Sequence, residues 1–316
     1  MDEKVCAVVV TYNRKNLLLE CLEALRKQTR PVDAIYLIDN FSTDGTPELL
    51  KEKGYITELP PVNLTGPWEE EFEIRNLTNG GSIKLYYVRM HENTGSAGGF
   101  HEGVKRAYEK CYDWLWLMDD DAIPADNALN FLLEKRKRFK DLNIGFICSK
   151  VLWINRTPHI MNIPSVKPLI NGIPFNLYED KGVLLVETAS FVSLLINNKV
   201  VDKVGLPIKE FFIWADDVEY TLRITKNNFL GFYVKDSIVI HKTKENHSAS
   251  NVYDWRYYYN VRNWLWIYKL HYKKFLFWKL LKLPKIPMRI WRMNIKACID
   301  SIVRTPKIEY CEEEDN

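Results

Sequence analysis

The sequence predicts an α/β fold in which a mostly parallel sheet carries helices on both faces. Short apolar runs alternate with helical patterns through the first 150 residues, and this alternation is typical of parallel sheets covered on both sides. Polar residues directly follow these apolar runs. Open sheets of this kind bind ligands beyond the carboxyl ends of their strands, so the residues after the strands are candidates for a functional site.

The elements of the first half follow from apolar periodicity. The predicted strands are residues 5–10, 34–39, 83–90 and 114–118. Helices are predicted at 15–28, around 48–50 and around 104–110, and residues 95–99 are predicted to form a glycine turn. Prolines and glycines interrupt the pattern at 55–82, which predicts an inserted loop or small hairpin.

The second half has a different texture. Short alternating runs and several prolines between 144 and 200 predict antiparallel strands with long loops. A helix is predicted at 216–227, paired strands at 231–240, and long aromatic and basic helices after Asp254.

Bulk composition excludes several classes of protein. Hydrophobic residues make up 47% and charged residues 27%, as in ordinary globular proteins, and the net charge of +3 is too small to indicate nucleic-acid binding. The six cysteines have no short spacing typical of a zinc or redox site, so we expect reduced thiols. Without a signal-peptide pattern or a long apolar span, the expected location is the cytoplasm.

Three consecutive carboxylates end the fourth strand, in the stretch LWLMDDDAIP. Alternate side chains of an extended chain share a side, so Asp119 and Asp121 can face one ligand while Asp120 faces away. Carboxylates suit hard cations such as Mg²⁺ or Mn²⁺. The alternative is a solvated acidic turn that caps the following helix.

A second acidic group opens the predicted helix at 216, in FFIWADDVEYTLR. Asp216, Asp217 and Glu219 have two interpretations. They can cap the helix, whose N-terminus favours negative charge, or one of them can be a general base whose pKa is raised among aromatic residues. His241 ends a later strand, where a lone histidine is more often structural than a ligand.

Six motifs in order resemble the family 2 inverting glycosyltransferases, closest to the branch of rhamnosyl- and galactofuranosyltransferase-like enzymes. They are VVVTYNR, IDNFSTDGT, ENTGSAGGFHEG, WLWLMDDDAIP, FFIWADDVEYTLR and IVIHK. The resemblance covers about residues 4–245. It implies a GT-A fold, a Rossmann-like nucleotide-binding sheet (about 1–122) joined to an acceptor-binding half (about 123–245), and a role in synthesis of cell-envelope polysaccharide.

The resemblance also implies residue roles. A nucleotide-sugar donor, linked to UDP or dTDP and carrying a sugar such as galactofuranose or rhamnose, would be bound by Thr11, Tyr12, Arg14, Asp39, Asn93, Gly95, Gly98 and Asp120. Within that set, Asp39 would accept a hydrogen bond from the base, and the glycines would let the backbone approach the donor. Asp119, Asp121 and His241 would hold Mn²⁺ or Mg²⁺, with His247 as a competitor for the third ligand.

The acidic pair would complete the chemistry. Asp217 would take the proton of the acceptor hydroxyl as it attacks the anomeric carbon, which inverts the configuration, and Asp216 would hold the acceptor or the base. Glu219 would contact the acceptor or cap the helix, and Trp214 would stack on a sugar ring or pack in the core.

Residues 246–316 form a basic, aromatic region. Between Trp255 and Arg304 there are twelve Lys or Arg, one acidic residue and five of the ten Trp. Tryptophan favours the headgroup zone of membranes, and Lys and Arg favour anionic lipid. We therefore predict helices on the cytoplasmic membrane face, which suits a glycan or polyprenyl-linked glycan acceptor. The alternative is buried helices or a contact between copies in a homo-oligomer, and no nucleic-acid module accompanies this region.

Two further functions stay open at this point. Sugar-phosphate nucleotidyltransferases share a similar sheet and acidic site, but they are expected to carry a glycine-rich loop with Arg and Lys after the first strand, where this chain has Thr11 to Arg14. A membrane-associated scaffold with a degenerate transferase fold is the non-enzyme alternative, and the presence of both acidic groups argues against it.

Overall fold

The computed structural model describes residues 3–246, 254–272 and 291–311. His247 lies outside these ranges. The strands are β1 (Val5–Thr11), β2 (Ala34–Asp39), β3 (Trp68–Arg75), β4 (Ser82–Arg89), β5 (Trp114–Asp119), β6 (Ala122–Pro124), β7 (Ile144–Trp153), β8 (Leu169–Ile170), β9 (Ile173–Pro174), β10 (Val183–Val186), β11 (Leu194–Asn197) and β12 (Leu230–His241). The helices are α1 (Lys15–Arg26), α2 (Thr46–Glu52), α3 (Gly95–Glu109), α4 (Ala128–Arg138), α5 (Asn198–Val204), α6 (Asp216–Lys226), α7 (Arg256–His271) and α8 (Trp291–Val303).

A single large sheet organises the described residues, in the order β10-β12-β7-β11-β5-β1-β2-β4-β3, with β6 paired to β12. Strands β4, β2, β1 and β5 run parallel to one another. Alternate residues of β1 enter two different core clusters, so both faces of the sheet are covered. This confirms the predicted α/β architecture with helices on both faces.

The parallel register gathers the strand ends at one edge. Thr11 of β1 pairs with Asp39 of β2, and Val10 pairs with Asp119 of β5. Strand β6 pairs antiparallel with the end of β12, opposing Ala122 to His241. Consequently the residues after β5 and the last residue of β12, far apart in sequence, meet at the same edge.

The four strands predicted in the first half are confirmed as β1, β2, β4 and β5. Helix α3, however, begins at Gly95, so the predicted glycine turn is the start of a helix. Close packing on β1 explains two glycines of this helix, because a Cβ at Gly99 or Gly103 would lie 2.5 or 2.3 Å from a methyl group of Val10 or Val8. Within 55–82, strand β3 forms a hairpin with β4 and becomes an edge of the sheet.

Two further differences concern the second half. The region predicted as paired strands at 231–240 is one strand, β12, whose register against β7 shifts between Val234 and Ile238. Strand β11 lies antiparallel between β5 and β7, while β7 and β12 run parallel. The antiparallel pairing predicted for this half is therefore only part of a mixed arrangement.

The C-terminal segments pack against the rest of the chain. Trp266 and Ile267 of α7 join a buried cluster with Phe211 and Leu222. Farther on, the Glu309 carbonyl accepts a hydrogen bond from the Leu206 amide at 2.8 Å. Helices α7 and α8 contact each other through pairs such as Tyr258 and Asp300. Within the described ranges, no helix combines the length and the apolar character needed to cross a membrane.

Candidate active site

An acidic cluster with one histidine lies at the edge where β5, β6 and β12 meet. Asp119 is the last residue of β5, Asp121 lies in the turn before β6, and His241 is the last residue of β12. One ligand atom from each residue lies within 4.8 Å of the others. The structure thus brings together the residues expected to hold a cation, and the alternation along the strand end places Asp120 elsewhere.

The hydrogen bonding of His241 fits a cation at this position. Its Nδ1 donates to the amide oxygen of Asn162 at 2.8 Å, which leaves Nε2 facing Asp121 at 3.0 Å. Although Nε2 is close, Asp121 Oδ1 is buried and has no hydrogen-bond partner. A nitrogen lone pair and a carboxylate oxygen that face each other need a positive charge between them, either a proton or a metal ion. The donor set therefore fits a divalent cation.

The charges in the cluster perturb one another. Burial raises the pKa of Asp119, and the neighbouring Asp121 raises it further. For Asp121, burial opposes ionisation, but His241 and Arg14 outweigh it and lower the pKa. Burial also disfavours protonated His241, whereas Asp121 and Asp119 favour it and raise the pKa overall. Ionised Asp121 is thus stabilised by the positive charges around it.

Asp120 faces the end of β1 instead. Its carboxylate accepts a hydrogen bond from the Thr11 hydroxyl at 2.7 Å, and Arg14 lies 3.3 Å from it. Burial raises the pKa of Asp120 to about 7, partly offset by Arg14. The Arg14 guanidinium also contacts Asp121 at 2.6 Å while half of its side chain stays exposed. Tyr12, the other expected donor-binding residue here, is also exposed.

The expected base contact of Asp39 is not available in this conformation. The side chain is fully buried, and its oxygens accept hydrogen bonds from Tyr87 at 2.7 Å, Arg89 at 2.6 Å and the Ser42 amide at 2.8 Å. Asp39 therefore holds the end of β2 to β4. The exposed side chain beside it is Phe41, whose ring lies under the Arg89 guanidinium at 5.1 Å.

Asn93 closes the loop before α3. Its side-chain oxygen accepts hydrogen bonds from the Gly95 amide at 2.9 Å and from Asn40 at 3.0 Å. Asn40 also accepts a bond from the Thr94 amide at 3.0 Å. This network fixes the position of the α3 N-terminus.

Both expected donor-binding glycines have packing partners within the protein. Gly95 has a φ of +73°, and a Cβ there would lie 2.0 Å from the carbonyl oxygen of Phe212. A Cβ at Gly98 would lie 2.4 Å from the Thr94 hydroxyl. The space that a side chain would fill is occupied by protein atoms in both cases. Gly95 brings α3 close to the loop before α6, whereas Gly98 makes room for the side chain of the N-cap residue Thr94.

The acidic pair opens α6. Asp216 is buried, and its Oδ2 has no hydrogen-bond partner. Burial and the neighbouring Asp217 raise the pKa of Asp216 well above its usual value. Burial raises the pKa of Asp217 to about 6, and the charge of Asp119 contributes to the increase. The acidic pair of α6 and the aspartates after β5 therefore influence each other electrostatically. A protonated Asp216 beside an ionisable Asp217 suits acid–base chemistry.

Glu219 requires a correction. It is fully buried, and its two oxygens lie 2.9 Å from Arg223 and 3.0 Å from His271. This carboxylate links α6 to α7, and its complete burial contradicts the expected contact with an acceptor. Trp214 is half-buried, with the Arg256 guanidinium 5.1 Å from its ring centre, so its outer face is covered by a cation.

Several residues that organise the site received no role from the sequence, among them Asn40, Asn162 and Arg89. Asn40 directly follows the strand-end Asp39, so its position at the end of a parallel strand was an available signal. Asn162 lies in a short 3₁₀ turn within an irregular region, and no pattern connects it to His241, 79 residues away.

Comparison with known proteins shows the family. The sequence matches the family described as Glycosyl transferase family 2 over residues 6–58 and 71–182, which is more than half of the chain. The chain belongs to glycosyl transferase family 2. The matched ranges include the aspartates at 119–121 but end before Asp216 and His241. Membership in this family argues against the nucleotidyltransferase alternative.

Curated relatives agree with this family. The chain is 28% identical over 233 residues to "Galactofuranosyltransferase GlfT1" of Mycolicibacterium smegmatis, a match that covers 71% of this chain and 66% of the relative. It is 27% identical over 239 residues to the protein of the same name from Mycobacterium tuberculosis, with 72% and 66% covered. The match thus spans slightly less than two thirds of these relatives' own length.

Solved structures support the GT-A fold expected for this family. A crystal structure of GalNAc-T7 with UDP, GalNAc and Mn²⁺ has a TM-score of 0.62 at 15% identity, covering 98% of this chain and 55% of that one. Residues 1–349 of S. aureus TarS have a TM-score of 0.55 at 15% identity, covering 95% of this chain and 81% of that one. At these identities, the likeness concerns the fold.

Proposed function

We propose that this protein is an inverting glycosyltransferase that moves a sugar from a nucleoside diphosphate to a hydroxyl of a glycan acceptor. The observation that carries the proposal is the meeting of two acidic groups at one edge of the sheet, one arranged for a cation and one for a base. Family membership supports transfer from a nucleotide sugar, and the galactofuranosyltransferase relatives favour UDP-galactofuranose as the first donor to test.

In this proposal Asp217 accepts the proton of the acceptor hydroxyl. The hydroxyl oxygen then forms a bond to the anomeric carbon while the bond from that carbon to the diphosphate oxygen breaks. A single displacement from the opposite face inverts the configuration and needs no covalent intermediate on the enzyme. Asp216, whose raised pKa favours its proton, supplies a hydrogen-bond donor beside the acceptor.

Asp119, Asp121 and His241 would hold a divalent cation, with Asn162 fixing the imidazole. When bound, the cation neutralises negative charge on the departing diphosphate. Because one ligand is an imidazole nitrogen, we propose that Mn²⁺ binds more tightly than Mg²⁺, which prefers an all-oxygen shell. Arg14, already beside Asp120 and Asp121, contributes a further positive charge at the same edge.

The test compares wild type with Asp217→Asn, using UDP-galactofuranose, Mn²⁺ and a galactose-containing acceptor. We expect transfer to fall by about 10²–10⁴-fold, the usual contribution of a general base. Binding of UDP, measured by calorimetry, should be unchanged. Equal turnover by the two proteins would remove Asp217 from the mechanism, and no turnover of any nucleotide sugar by wild type would favour the non-catalytic scaffold.

We further propose that α8 contacts an anionic membrane surface, which suits a lipid-linked acceptor. The face of α8 that packs on the protein includes Asn294, Ala297 and Ser301. Every exposed residue described on α8 is basic or aliphatic, and these residues are Arg292, Ile295, Lys296, Ile299, Ile302 and Val303. Aliphatic side chains interspersed with basic ones match an interfacial helix on anionic lipid.

Co-sedimentation with vesicles of phosphatidylcholine and phosphatidylglycerol tests this location. We expect wild type to bind, and an Ile299→Glu and Ile302→Glu double variant to stay in the supernatant. Val62→Glu is the control, because Val62 is 97% exposed and lies in the inserted region rather than on α8. Wild type that fails to bind at low salt would contradict the proposal.

A further inference from the structure

The loop that leads into α6 has an unusual backbone. Phe212 has φ +63° and ψ −58°, with the Ile213 amide donating to the Phe211 carbonyl at 2.7 Å. This is the γ-turn with positive φ, which is rare and strained. Trp214 and Ala215 follow with φ of +68° and +63°. Non-glycine residues hold such conformations only where their surroundings impose them.

The strained loop directly sets the position of the acidic pair. Ala215 precedes the first residue of α6, Asp216, and the Ala215 carbonyl accepts the first helical hydrogen bond, from the Glu219 amide at 2.9 Å. The N-cap residue Ala215 has no side chain that could cap this helix, and the first-turn amide of Val218 donates to Asp217 Oδ1 at 2.7 Å. The direction in which α6 starts, and with it the place of Asp217, therefore depends on what holds residues 211–215.

One side chain on α7 holds three of the loop carbonyls. The Asn263 amide nitrogen lies 3.0 Å from the carbonyl oxygen of Phe211, 2.9 Å from that of Ile213 and 2.8 Å from that of Trp214. Asn263 is fully buried. Its side-chain oxygen accepts in turn from Arg262, at 3.0 Å from Nε and 2.8 Å from Nη2.

Arg262 supports the same loop from the same helix. Its Nη2 donates to the carbonyls of Glu210 at 2.7 Å and of Phe211 at 3.0 Å. The guanidinium is buried and stacks over Trp266 at 4.0 Å, so it keeps Asn263 in one orientation.

We infer that Asn263 is a positioning residue for the reaction, acting on Asp217 through the backbone of residues 211–215. The inference rests on the proposed function, because Asp217 is the base assigned there. It gives α7 a role that family membership does not assign: a helix far downstream fixes the geometry of the acid–base pair.

The effect should fall on the acceptor side of the site. The remaining carbonyl of the loop, that of Phe212, accepts from the Ala97 amide on α3 at 3.1 Å, independently of Asn263. Loss of Asn263 therefore frees the segment next to Asp216 while the contact with the nucleotide-binding half persists. We expect a lower kcat with unchanged nucleotide affinity.

The experiment uses the full chain with Asn263→Ala and Asn263→Asp. The aspartate keeps the shape and the Arg262 contact but turns an oxygen toward the loop carbonyls in place of the two N–H donors. The melting temperature of each variant shows whether it is folded. We expect kcat for transfer to fall about 10–100-fold, as for a misplacement of about 1 Å. The dissociation constant of UDP with Mn²⁺ should be unchanged, and amide exchange at Ile213 and Glu219 should become faster.

Two controls separate positioning from general loosening of α7. Asn260→Ala changes the same residue type one turn earlier, where no hydrogen bond to the loop is found among the described residues. Leu265→Ala removes a buried side chain of the same helix that does not hold the loop. Both should keep kcat, even where Leu265→Ala lowers the melting temperature as much as Asn263→Ala.

Wild-type kcat in both Asn263 variants would overturn the inference. So would a loss of kcat in Leu265→Ala that matches the loss in Asn263→Ala, because that would show a merely structural effect. If wild type transfers no sugar, the proposed function fails. The structural role of Asn263 is then tested by amide exchange alone, and unchanged exchange at Ile213 and Glu219 in the Asn263 variants would overturn it as well.

Discussion

Asp217 illustrates how the surroundings of a carboxyl group raise its pKa toward neutrality. Burial raises its pKa to about 6, and Asp119 adds a repulsive charge. Burial and the neighbouring Asp217 raise the pKa of Asp216 well above its usual value, so Asp216 favours its proton. Two neighbouring acids with different pKa values can divide the roles of proton acceptor and hydrogen-bond donor.

The pH dependence of transfer follows from the Asp217 pKa. Only the ionised form accepts a proton, so the rate should rise with pH up to about 6 and then level off. Below that value we expect about a tenfold loss per pH unit. Steady-state kcat/KM between pH 4.5 and 8 checks this. An acidic limb that persists unchanged in Asp217→Asn would assign it to another group.

A second prediction concerns Asn162. Asn162→Ala removes the acceptor that orients His241, and partners of metal ligands typically contribute about 10–100-fold in affinity. Calorimetric titration with Mn²⁺ should therefore show weaker binding by that factor. Asn162→Asp keeps an acceptor for Nδ1 and serves as the control. If alanine and aspartate variants bind Mn²⁺ as tightly as wild type, Asn162 does not orient the ligand.

Residue types and local spacing predict part of this site. The pairing of Asp119 with Asp121 follows from alternation at a strand end, which sequence patterns locate well. Only the resemblance to the family added His241 to them, because a lone histidine at a strand end is more often structural. The contact of Glu219 with α7 could not be predicted, because its partner His271 lies 52 residues away, beyond any local pattern. The contacts of Asn263 could not be predicted for the same reason, because they join residues about 50 positions apart. They also depend on a backbone conformation that no residue type predicts.

At the level of elements, the contact between α3 and the loop before α6 joins the two halves of the site. The positive φ at Gly95 and the Phe212 carbonyl above it leave no room for a side chain. The apolar runs of the parallel strands made their positions predictable. The antiparallel position of β11 between β5 and β7 could not be predicted, because strand order depends on long-range pairing rather than on local sequence.

Gly95→Ala tests this contact with a matched control. Gly54 also has φ +73°, but nothing lies within 4 Å of a Cβ there. Gly54→Ala should therefore cost only about 1 kcal/mol of stability, the conformational penalty. Gly95→Ala adds a steric clash of about 1–3 kcal/mol and should also reduce transfer. Chemical denaturation measures both, and equal losses would show that the α3 contact adapts freely.

For the whole molecule, the question is whether the catalytic half and the C-terminal helices fold together. The sequence predicts a division at 245/246, which stays a prediction. Trp266 and Ile267 nevertheless share a buried cluster with Phe211, which lies in the loop that leads into α6 and its acidic pair. The aromatic and basic composition of α7 predicts a helix at the surface. Its buried face is formed by tertiary contacts, which composition does not show.

Trp266→Ala tests the coupling of these parts. Truncating a buried tryptophan should cost about 3–5 kcal/mol, and we expect one cooperative melting transition at lower temperature. Trp264→Ala is the control, because Trp264 is on the same helix but 41% exposed, so its effect should stay within about 0.5 kcal/mol. Two separate transitions, with only the smaller one shifted, would show that α7 unfolds on its own.

The edge strand β3 has a consequence for how copies of this protein can meet. This edge strand carries Glu69, Glu70, Glu71 and Glu73, of which Glu69 is paired with Arg106 and Glu71 with Lys84. Two such edges brought side by side would align carboxylates against carboxylates, which opposes the strand-to-strand growth that leads open sheets into fibrils. A self-association that does form must therefore use another surface, and concentrated solutions should resist aggregation through this side of the sheet.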